Sequence, residues 1–161
     1  PNSIEFSSDT FHYAVFDGYF YDTAEVTLSR LKTGVDIATL IEISPIYFDV
    51  NKSNIRPDAA TELDKIVQIM NEYSSMIVEL GSHTDCRATY SYNRSLSDRR
   101  AKSSANYIKS RITNPERIYG KGYGESKLKN KCECEGRRKV DCTEEEHQAN
   151  RRTEFLIIKM D

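Results

Sequence analysis

Residues 81–101 read GSHTDCRATYSYNRSLSDRRA, from Gly81 to Ala101. This stretch predicts the end of a strand, a short loop and the start of a helix. It places one acid, Asp85, in the loop and one base, Arg100, on the helix. An ionised aspartate only accepts hydrogen bonds, whereas a guanidinium is a planar fork of donors. Together they suit a zwitterion, whose ammonium needs the first side chain and whose carboxylate needs the second.

The helix, predicted over residues 90–110, carries more of this candidate site. Asn93 and Arg100 lie two helical turns apart on one face, and Leu96 between them would form an apolar floor. The loop N–H groups and the helix N-terminus that follow Asp85 can also bind a carboxylate. The alternative is that Asp85 and Arg100 form a structural ion pair with each other.

The hydrophobic pattern on either side predicts alternating strands and helices. Apolar residues at helical spacing follow Pro57, which suits the first turn of a helix because it lacks an N–H. Glu144 starts a short helix, and the glycines at 120, 122 and 124 predict a tight turn, not a phosphate-binding loop. The predicted strands are residues 46–48, 76–80, 117–120 and 155–158. The order strand–helix–strand–helix–strand–loop–strand predicts an α/β fold, an α+β sandwich with two main helices on one face of a partly parallel, mixed sheet.

Residues 1–43 differ in texture from the rest of the chain. Aromatic residues crowd their first half, and strand-like runs follow at 26–28 and 37–41. We expect a β-rich segment, the tail of a preceding module, followed by the main domain over residues 44–161. The chain opens at Pro1 without a start methionine or signal peptide, so we expect a piece of a longer protein.

The composition excludes several classes of function. The 161 residues suffice for one domain and part of another. The net charge of −2 does not provide the basic footprint of a nucleic-acid-binding protein. No apolar run approaches the ~20 residues of a membrane-spanning helix. We expect no cofactor.

The four cysteines, Cys86, Cys132, Cys134 and Cys142, leave three alternatives open. An even number in a small chain favours disulfides if the compartment is oxidising. A metal site would use the last three with His147, but zinc ligands usually come as Cys-x2–4-Cys pairs, and this spacing fits poorly. Free thiols are the third alternative.

Short motifs across residues 44–160 resemble a known family. In chain order they are Tyr47-Phe48-Asp49, Gly81-Ser-His-Thr-Asp85, Tyr92-Asn93, Leu96-Ser-Asp-Arg-Arg100-Ala101, Gly122-Tyr-Gly-Glu125 and Asn150-Arg-Arg-Thr-Glu-Phe155. The set closely resembles the outer-membrane-protein-A-like C-terminal domain, a peptidoglycan-binding module of Gram-negative envelopes. The cysteine-bearing insertion is similar to the Bacteroidetes branch. The β-rich start combined with this domain is similar to an outer-membrane lipoprotein of the type IX secretion machinery.

The resemblance implies a ligand, the meso-diaminopimelate of the peptidoglycan stem peptide. It implies that Asp85 is the acidic anchor and Arg100 the basic anchor. Supporting polar contacts fall on Asn51, Thr84, Asn93 and Arg151. The chain departs from the family at Cys86 and Arg87, and we expect Arg87 to bring extra positive charge to the ligand's carboxylates.

Some of these residues have structural alternatives. Asn51 is of a type common in turns. Arg151 and Arg152 point to opposite faces if they lie on a strand, and the resemblance assigns Arg151 to the pocket. His83, at the strand end, is expected to pack against the sheet edge.

The resemblance also implies a Cys132–Cys142 bridge, and Cys86–Cys134 would then tie the insertion to the binding loop. We expect a periplasmic, non-catalytic module that anchors an outer-membrane or secretion complex to the cell wall. It would be tethered to the outer membrane by parts of the protein outside this chain. One alternative is a protein–protein adaptor in an envelope secretion complex without peptidoglycan binding. Another is a thiol hydrolase using Cys86 and His83, which strand geometry disfavours.

Overall fold

The structure is a computed structural model that describes residues 8–16, 18–19, 21–29, 31–134 and 141–160. Its strands are β1 (Ser8–Phe16), β2 (Tyr21–Ser29), β3 (Ile77–His83), β4 (Ile118–Gly124) and β5 (Thr153–Lys159). Its helices are α1 (Ile37–Leu40), α2 (Pro57–Glu72), α3 (Tyr90–Lys109) and α4 (Glu144–Asn150), with a 3-10 turn at Pro115–Arg117. β1 and β2 form an antiparallel hairpin, which confirms the β-rich start. Expectations for residues 1–7 and 135–140 lie outside the described residues.

β3, β4 and β5 form one mixed sheet. The order is β4-β3-β5, with β3 parallel to β4 and antiparallel to β5. Alternate residues of β3 and β5 turn into the core, where they meet the apolar faces of α2 and α3. These core residues include Val78, Leu80, Phe155 and Ile157 from the sheet, with Leu63, Ile66, Met70, Ala101, Ala105 and Ile108 from the helices. The predicted fold class, two main helices packed on one face of a mixed sheet, is confirmed.

The predicted first strand at residues 46–48 is wrong, because other residues occupy the place beside β5. The N–H of Gly34 donates to the carbonyl of Ile157 at 2.7 Å, and the N–H of Ile157 donates to the carbonyl of Val35 at 2.9 Å. Pro45, just before the predicted strand, has no N–H to contribute to a sheet. Residues 46–48 are therefore free to line a cavity.

The strand expected at residues 37–41 is also wrong, because this segment forms α1. Asp36 precedes it, and its Oδ1 accepts hydrogen bonds from the N–H of Ala38 (3.1 Å) and the N–H of Phe155 (2.8 Å). The first bond caps the short helix, and the second ties it to β5. Ile37 is fully buried in the main core. Residues that the sequence grouped with the β-rich segment thus pack with the main domain.

Two glycines predicted in a tight turn lie inside β4 instead. A Cβ on Gly122 would stand 2.1 Å from the backbone nitrogen of Asp98, and one on Gly120 would stand 2.3 Å from the carbonyl oxygen of Ala101. The strand and α3 therefore touch backbone to backbone, which only glycine permits. Gly124 ends the strand with a positive φ of 55°.

The helix starts follow from local sequence. α2 begins at the predicted Pro57. The hydroxyl of Thr89 caps α3, while Thr143 and Glu146 form a reciprocal capping box at α4. β3 continues past its predicted end to His83, so the residues after it leave the sheet at its carboxyl edge. Within the described ranges, no helix has the length and apolar character needed to cross a membrane.

Candidate functional site

A cavity of about 530 Å³ opens beside the carboxyl end of β3. Its walls come from the loop before α2, the segment after β3, the first half of α3, and α4 with its link to β5. The structure brings together here all eight predicted ligand-site residues: Asn51, Thr84, Asp85, Arg87, Asn93, Leu96, Arg100 and Arg151. The cavity is thus assembled from four separate parts of the chain.

Asp85 is the acidic group of this cavity, and its side chain is only 11% exposed. Arg87 donates to Oδ1 from its backbone N–H (3.1 Å) and to Oδ2 from Nε (3.0 Å) and Nη2 (2.7 Å). Arg151 adds a bond from Nη1 to Oδ2 at 2.7 Å. Burial alone would raise the pKa of Asp85, but these hydrogen bonds outweigh burial and hold its pKa below the ordinary value. Asp85 is therefore ionised at neutral pH.

Glu144, at the start of α4, closes a ring of ion pairs with Asp85 and two arginines. Nη1 of Arg87 lies 2.8 Å from Oε2 of Glu144, and Nη2 of Arg151 lies 2.5 Å from its Oε1. Arg151 is held further by Gln148, whose Oε1 accepts from Nε at 3.1 Å. The side chains of Arg87 and Glu144 are 48% and 62% exposed, so water screens their mutual attraction. The ring is therefore shielded from water at Asp85 and exposed to water at Glu144.

Arg100 reaches the cavity from α3 without pairing with Asp85. Its Nε donates to the carbonyl of Lys52 (3.0 Å) and its Nη2 to the carbonyl of Asp49 (3.3 Å). The guanidinium carbon lies 4.9 Å from the centre of the Phe48 ring. Burial lowers the pKa of Arg100, although a guanidinium remains protonated. The alternative of a structural ion pair between Asp85 and Arg100 is wrong, since each is bonded to other partners.

Asn93 holds the loop that carries the acid. Its amide nitrogen donates to the carbonyls of Asp85 (3.0 Å) and Ala88 (3.3 Å) and to the carboxylate of Glu125. The residue is almost fully buried. Asn93 therefore positions the acid loop in addition to lining the cavity.

Thr84 and Asn51 are polar residues of the cavity wall. Oγ1 of Thr84 is buried and has no hydrogen-bond partner among the residues the structure describes. Asn51 has a left-handed backbone, with φ 60°, and its Oδ1 accepts a hydrogen bond from the hydroxyl of Tyr92 at 2.5 Å. Asn51 thus shapes a turn and also lines the cavity, which combines the two alternatives left open by the sequence.

His83 packs at the strand end, as expected. Its ring stacks on that of Tyr123 with centroids 5.0 Å apart, and its Nε2 lies 3.1 Å from Oε2 of Glu154. Burial lowers the pKa of His83, whereas the hydrogen bond from His83, followed by that from Arg152, lowers the pKa of Glu154 to about 2. A neutral imidazole that donates from Nε2 accounts for both shifts. Arg152 pairs with Glu154 at 2.7 Å, whereas its neighbour Arg151 pairs with Asp85 at 2.7 Å.

Both expected disulfides, Cys86–Cys134 and Cys132–Cys142, are present, and none of the four cysteines is free. The first joins the acid loop to the insertion, and the second closes the insertion just before α4. The sulfurs of Cys132 and Cys142 lie near the carboxylate of Glu146, but disulfide sulfurs are not the thiolates that bind metals. The metal and free-thiol alternatives are therefore wrong. The sulfur of Cys86 is likewise committed and cannot serve as the nucleophile of a hydrolase.

Sequence reasoning missed part of the cavity wall: Tyr47, Val50, Tyr92, Glu144, Gln148 and Arg152. Glu144 matters most, because it touches both arginines that hold Asp85. The Thr143-x-x-Glu146 pattern announces the start of its helix. The pattern does not say where that helix docks, which depends on contacts with distant residues such as Arg87.

Comparison with known proteins agrees with this geometry. The sequence model of the OmpA family matches residues 47–141, which is more than half of the chain. The chain belongs to the OmpA family. The match includes β3, α3 and β4 of this OmpA domain, which position the acid loop and Arg100.

Curated relatives of the OmpA domain include proteins with different names and lengths. The photosystem I P700 chlorophyll a apoprotein A2 of Gloeobacter violaceus is 34% identical over 113 residues, covering 70% of this chain and 12% of that protein. A peptidoglycan-associated lipoprotein of Mesorhizobium japonicum is 33% identical over 82 residues, covering 51% of this chain and 49% of that protein. The chain thus spans about half or less of the length of these relatives.

Solved structures share the fold of the OmpA domain. The peptidoglycan-associated lipoprotein of Burkholderia pseudomallei superposes with a TM-score of 0.56 at 18% identity, covering 70% of this chain and 87% of that one. The cell wall anchor of the type VI secretion system of Pseudomonas aeruginosa gives 0.56 at 20% identity, covering 70% and 75%. At these identities, the shared property is the fold.

Proposed function

We propose that this OmpA-family domain is a non-catalytic module that binds peptidoglycan through its stem peptide and anchors an outer-membrane complex to the cell wall. The observation that carries the proposal is the placement of Asp85 and Arg100, which line one cavity but are not bonded to each other. Relatives named for peptidoglycan association, and a cell wall anchor of the same fold, support it.

The ligand we propose is the side-chain end of meso-diaminopimelate, where one carbon carries an ammonium and a carboxylate. Asp85 receives the ammonium, because an ionised carboxylate only accepts hydrogen bonds. Arg100 receives the carboxylate. Among the described residues that line the cavity, Arg100 is the arginine whose guanidinium bonds to backbone carbonyls and to no carboxylate, and its remaining N–H groups can donate to a ligand.

The other cavity residues have supporting parts in this proposal. Leu96 is buried beneath the cavity and gives the methylene chain of the ligand an apolar floor. Thr84 contributes to the cavity wall beside Asp85. Asn51 contributes from the first turn, and Arg151 orients Asp85.

Calorimetric titration with two stem peptides tests the proposal. One carries meso-diaminopimelate, and the other carries lysine, which lacks the carboxylate that Arg100 would hold. We expect preference for the first peptide. Removing one partner of a desolvated charge pair costs about 2–5 kcal/mol of binding, so Asp85→Ala and Arg100→Ala should nearly abolish binding.

Matched controls lie on the exposed side of α3. Arg99 bonds to Ser95 and Asp98 pairs with Lys102, and neither lines the cavity. Arg99→Ala and Asp98→Ala should therefore bind as the unmodified protein does. Equal affinity for both stem peptides, or undiminished binding by both cavity variants, would sink the proposal.

We further propose a periplasmic location in association with the outer membrane. The two disulfides support this location because disulfides persist in oxidising compartments. The partner we propose is the type IX secretion machinery, because a β-rich start followed by this domain resembles an outer-membrane lipoprotein of that machinery. Co-purification of the full-length protein with sacculi and with secretion proteins tests both parts. Recovery with secretion proteins alone would favour the adaptor alternative.

A further inference from the structure

The guanidinium of Arg87 occupies one of the two carboxylate oxygens of Asp85, Oδ2. Two nitrogens of its guanidinium bond to Oδ2 of Asp85, at 3.0 and 2.7 Å, and Arg151 bonds to the same oxygen at 2.7 Å. Three N–H donors crowd one carboxylate oxygen, which offers few further directions to a donor. Among the described residues, Oδ1 accepts one hydrogen bond, from the backbone N–H of Arg87, so it is an ammonium binding to Oδ2 that must displace one of the two arginines.

Arg87 is the arginine that can leave. Its side chain is 48% exposed, against 25% for Arg151. Arg151 is held from two other sides, by Gln148 and Glu144. Among the residues the structure describes, Arg87 has one other side-chain partner, because its Nη1 lies 2.8 Å from Oε2 of Glu144.

We propose that Arg87 is a specificity-determining residue that competes, as a tethered cation, with the ligand's ammonium for Oδ2 of Asp85. The inference rests on the proposed function and revises the expected role of Arg87, from ligand contact to internal competitor. Apparent affinity is the intrinsic affinity multiplied by the fraction of molecules in which Asp85 is open. Only ligands that use Asp85 are weakened by this competition.

Titration of stem peptides into the full chain and its variants tests the competition. Arg87→Gln should tighten binding of the diaminopimelate stem peptide about two- to fivefold, the range that partly exposed ion pairs contribute.

A ligand control separates competition from a general change in the cavity. The same stem peptide with its side-chain amine acetylated carries no ammonium, so Arg87→Gln should not tighten its binding. Weaker or unchanged binding of the unmodified peptide by Arg87→Gln overturns the inference while leaving the proposed function standing. No binding by any variant, including the unmodified protein, overturns the proposed function and this inference with it.

Discussion

Replacing Gly122 by alanine tests whether the contact between β4 and α3 supports both the fold and the cavity. A Cβ at this position would lie 2.1 Å from the nitrogen of Asp98, 2.5 Å from its Cα and 2.6 Å from the carbonyl carbon of Ser97. All three atoms belong to the backbone of α3, so no side-chain rotation relieves the clash. The helix would have to retreat by about 1 Å or more to reach ordinary contact distance.

The expected cost follows from two opposing effects. Overpacking a close contact typically costs about 1–3 kcal/mol, and occasionally more when backbone must move. Replacing glycine by alanine restricts the unfolded chain and offsets about 0.4–1 kcal/mol of this. Because the clash is with backbone, we take the upper end of the overpacking range, and the net loss in the free energy of unfolding is then about 2 kcal/mol. This corresponds to a melting temperature lower by roughly 4–8 °C. Because α3 also carries Arg100 and Leu96, stem-peptide binding should weaken together with stability.

Urea unfolding followed by circular dichroism measures the loss, and Gly81→Ala is the matched control. Gly81 is also inside a strand of the same sheet, but a Cβ there would meet only side-chain atoms of Tyr123 and His83, at 3.3 Å or more. We expect the control to change the unfolding free energy by less than about 1 kcal/mol. If Gly122→Ala unfolds at the same urea concentration as the unmodified protein, β4 and α3 do not touch as described.

Two further predictions concern pH and the disulfides. The pKa of Glu154 is about 2 in the folded protein, against 4.5 ordinarily. Its contribution to the free energy of unfolding is therefore complete above pH 4.5 and is lost as the pH falls towards 2. The lowered pKa of His83 acts in the same direction below pH 6.5, and urea midpoints should therefore decline from pH 7 downwards. Glu154→Gln should remove about 1–2 kcal/mol of the decline at the acid end, allowing for its partial exposure, and an unchanged pH profile would contradict this. Replacing Cys86 and Cys134 together by serine should lower the free energy of unfolding by about 2–4 kcal/mol. Stem-peptide binding should weaken as well, because the bridge tethers the acid loop. A variant that binds and melts like the oxidised protein would show that the bridge contributes to neither.

The predictions that succeeded rest on local rules. The starts of α2 and α3 follow from Pro57 and from a capping threonine, and their core faces follow from helical spacing. The sequence could predict that Asp85, Asn93 and Arg100 share one cavity, because a strand end, a short loop and one helix face bring them together.

The predictions that failed needed knowledge of neighbours. Residues 46–48 look like a strand, but a strand requires an open edge, and residues 34–36 pair with β5 there. Gly120 and Gly122 look like turn residues, but they lie in a strand pressed against a helix backbone. In both cases, the same local sequence is compatible with two structures, and a distant segment selects one.

The sequence by itself determined the family, the mixed α/β architecture and eight of the residues that line the cavity, because motif order and hydrophobic period are carried by neighbouring positions in the chain. Only the tertiary structure decided the partners of the charges. Asp85 binds Arg87 and Arg151, Arg100 binds backbone carbonyls, and Glu144 joins from α4. Every charge in the cavity has several partners of opposite sign or suitable polarity within the chain, and the choice among them depends on distances of a few ångströms. Those distances are set by how β3, α3 and the disulfide-bonded insertion pack, and spacing along the chain does not specify them.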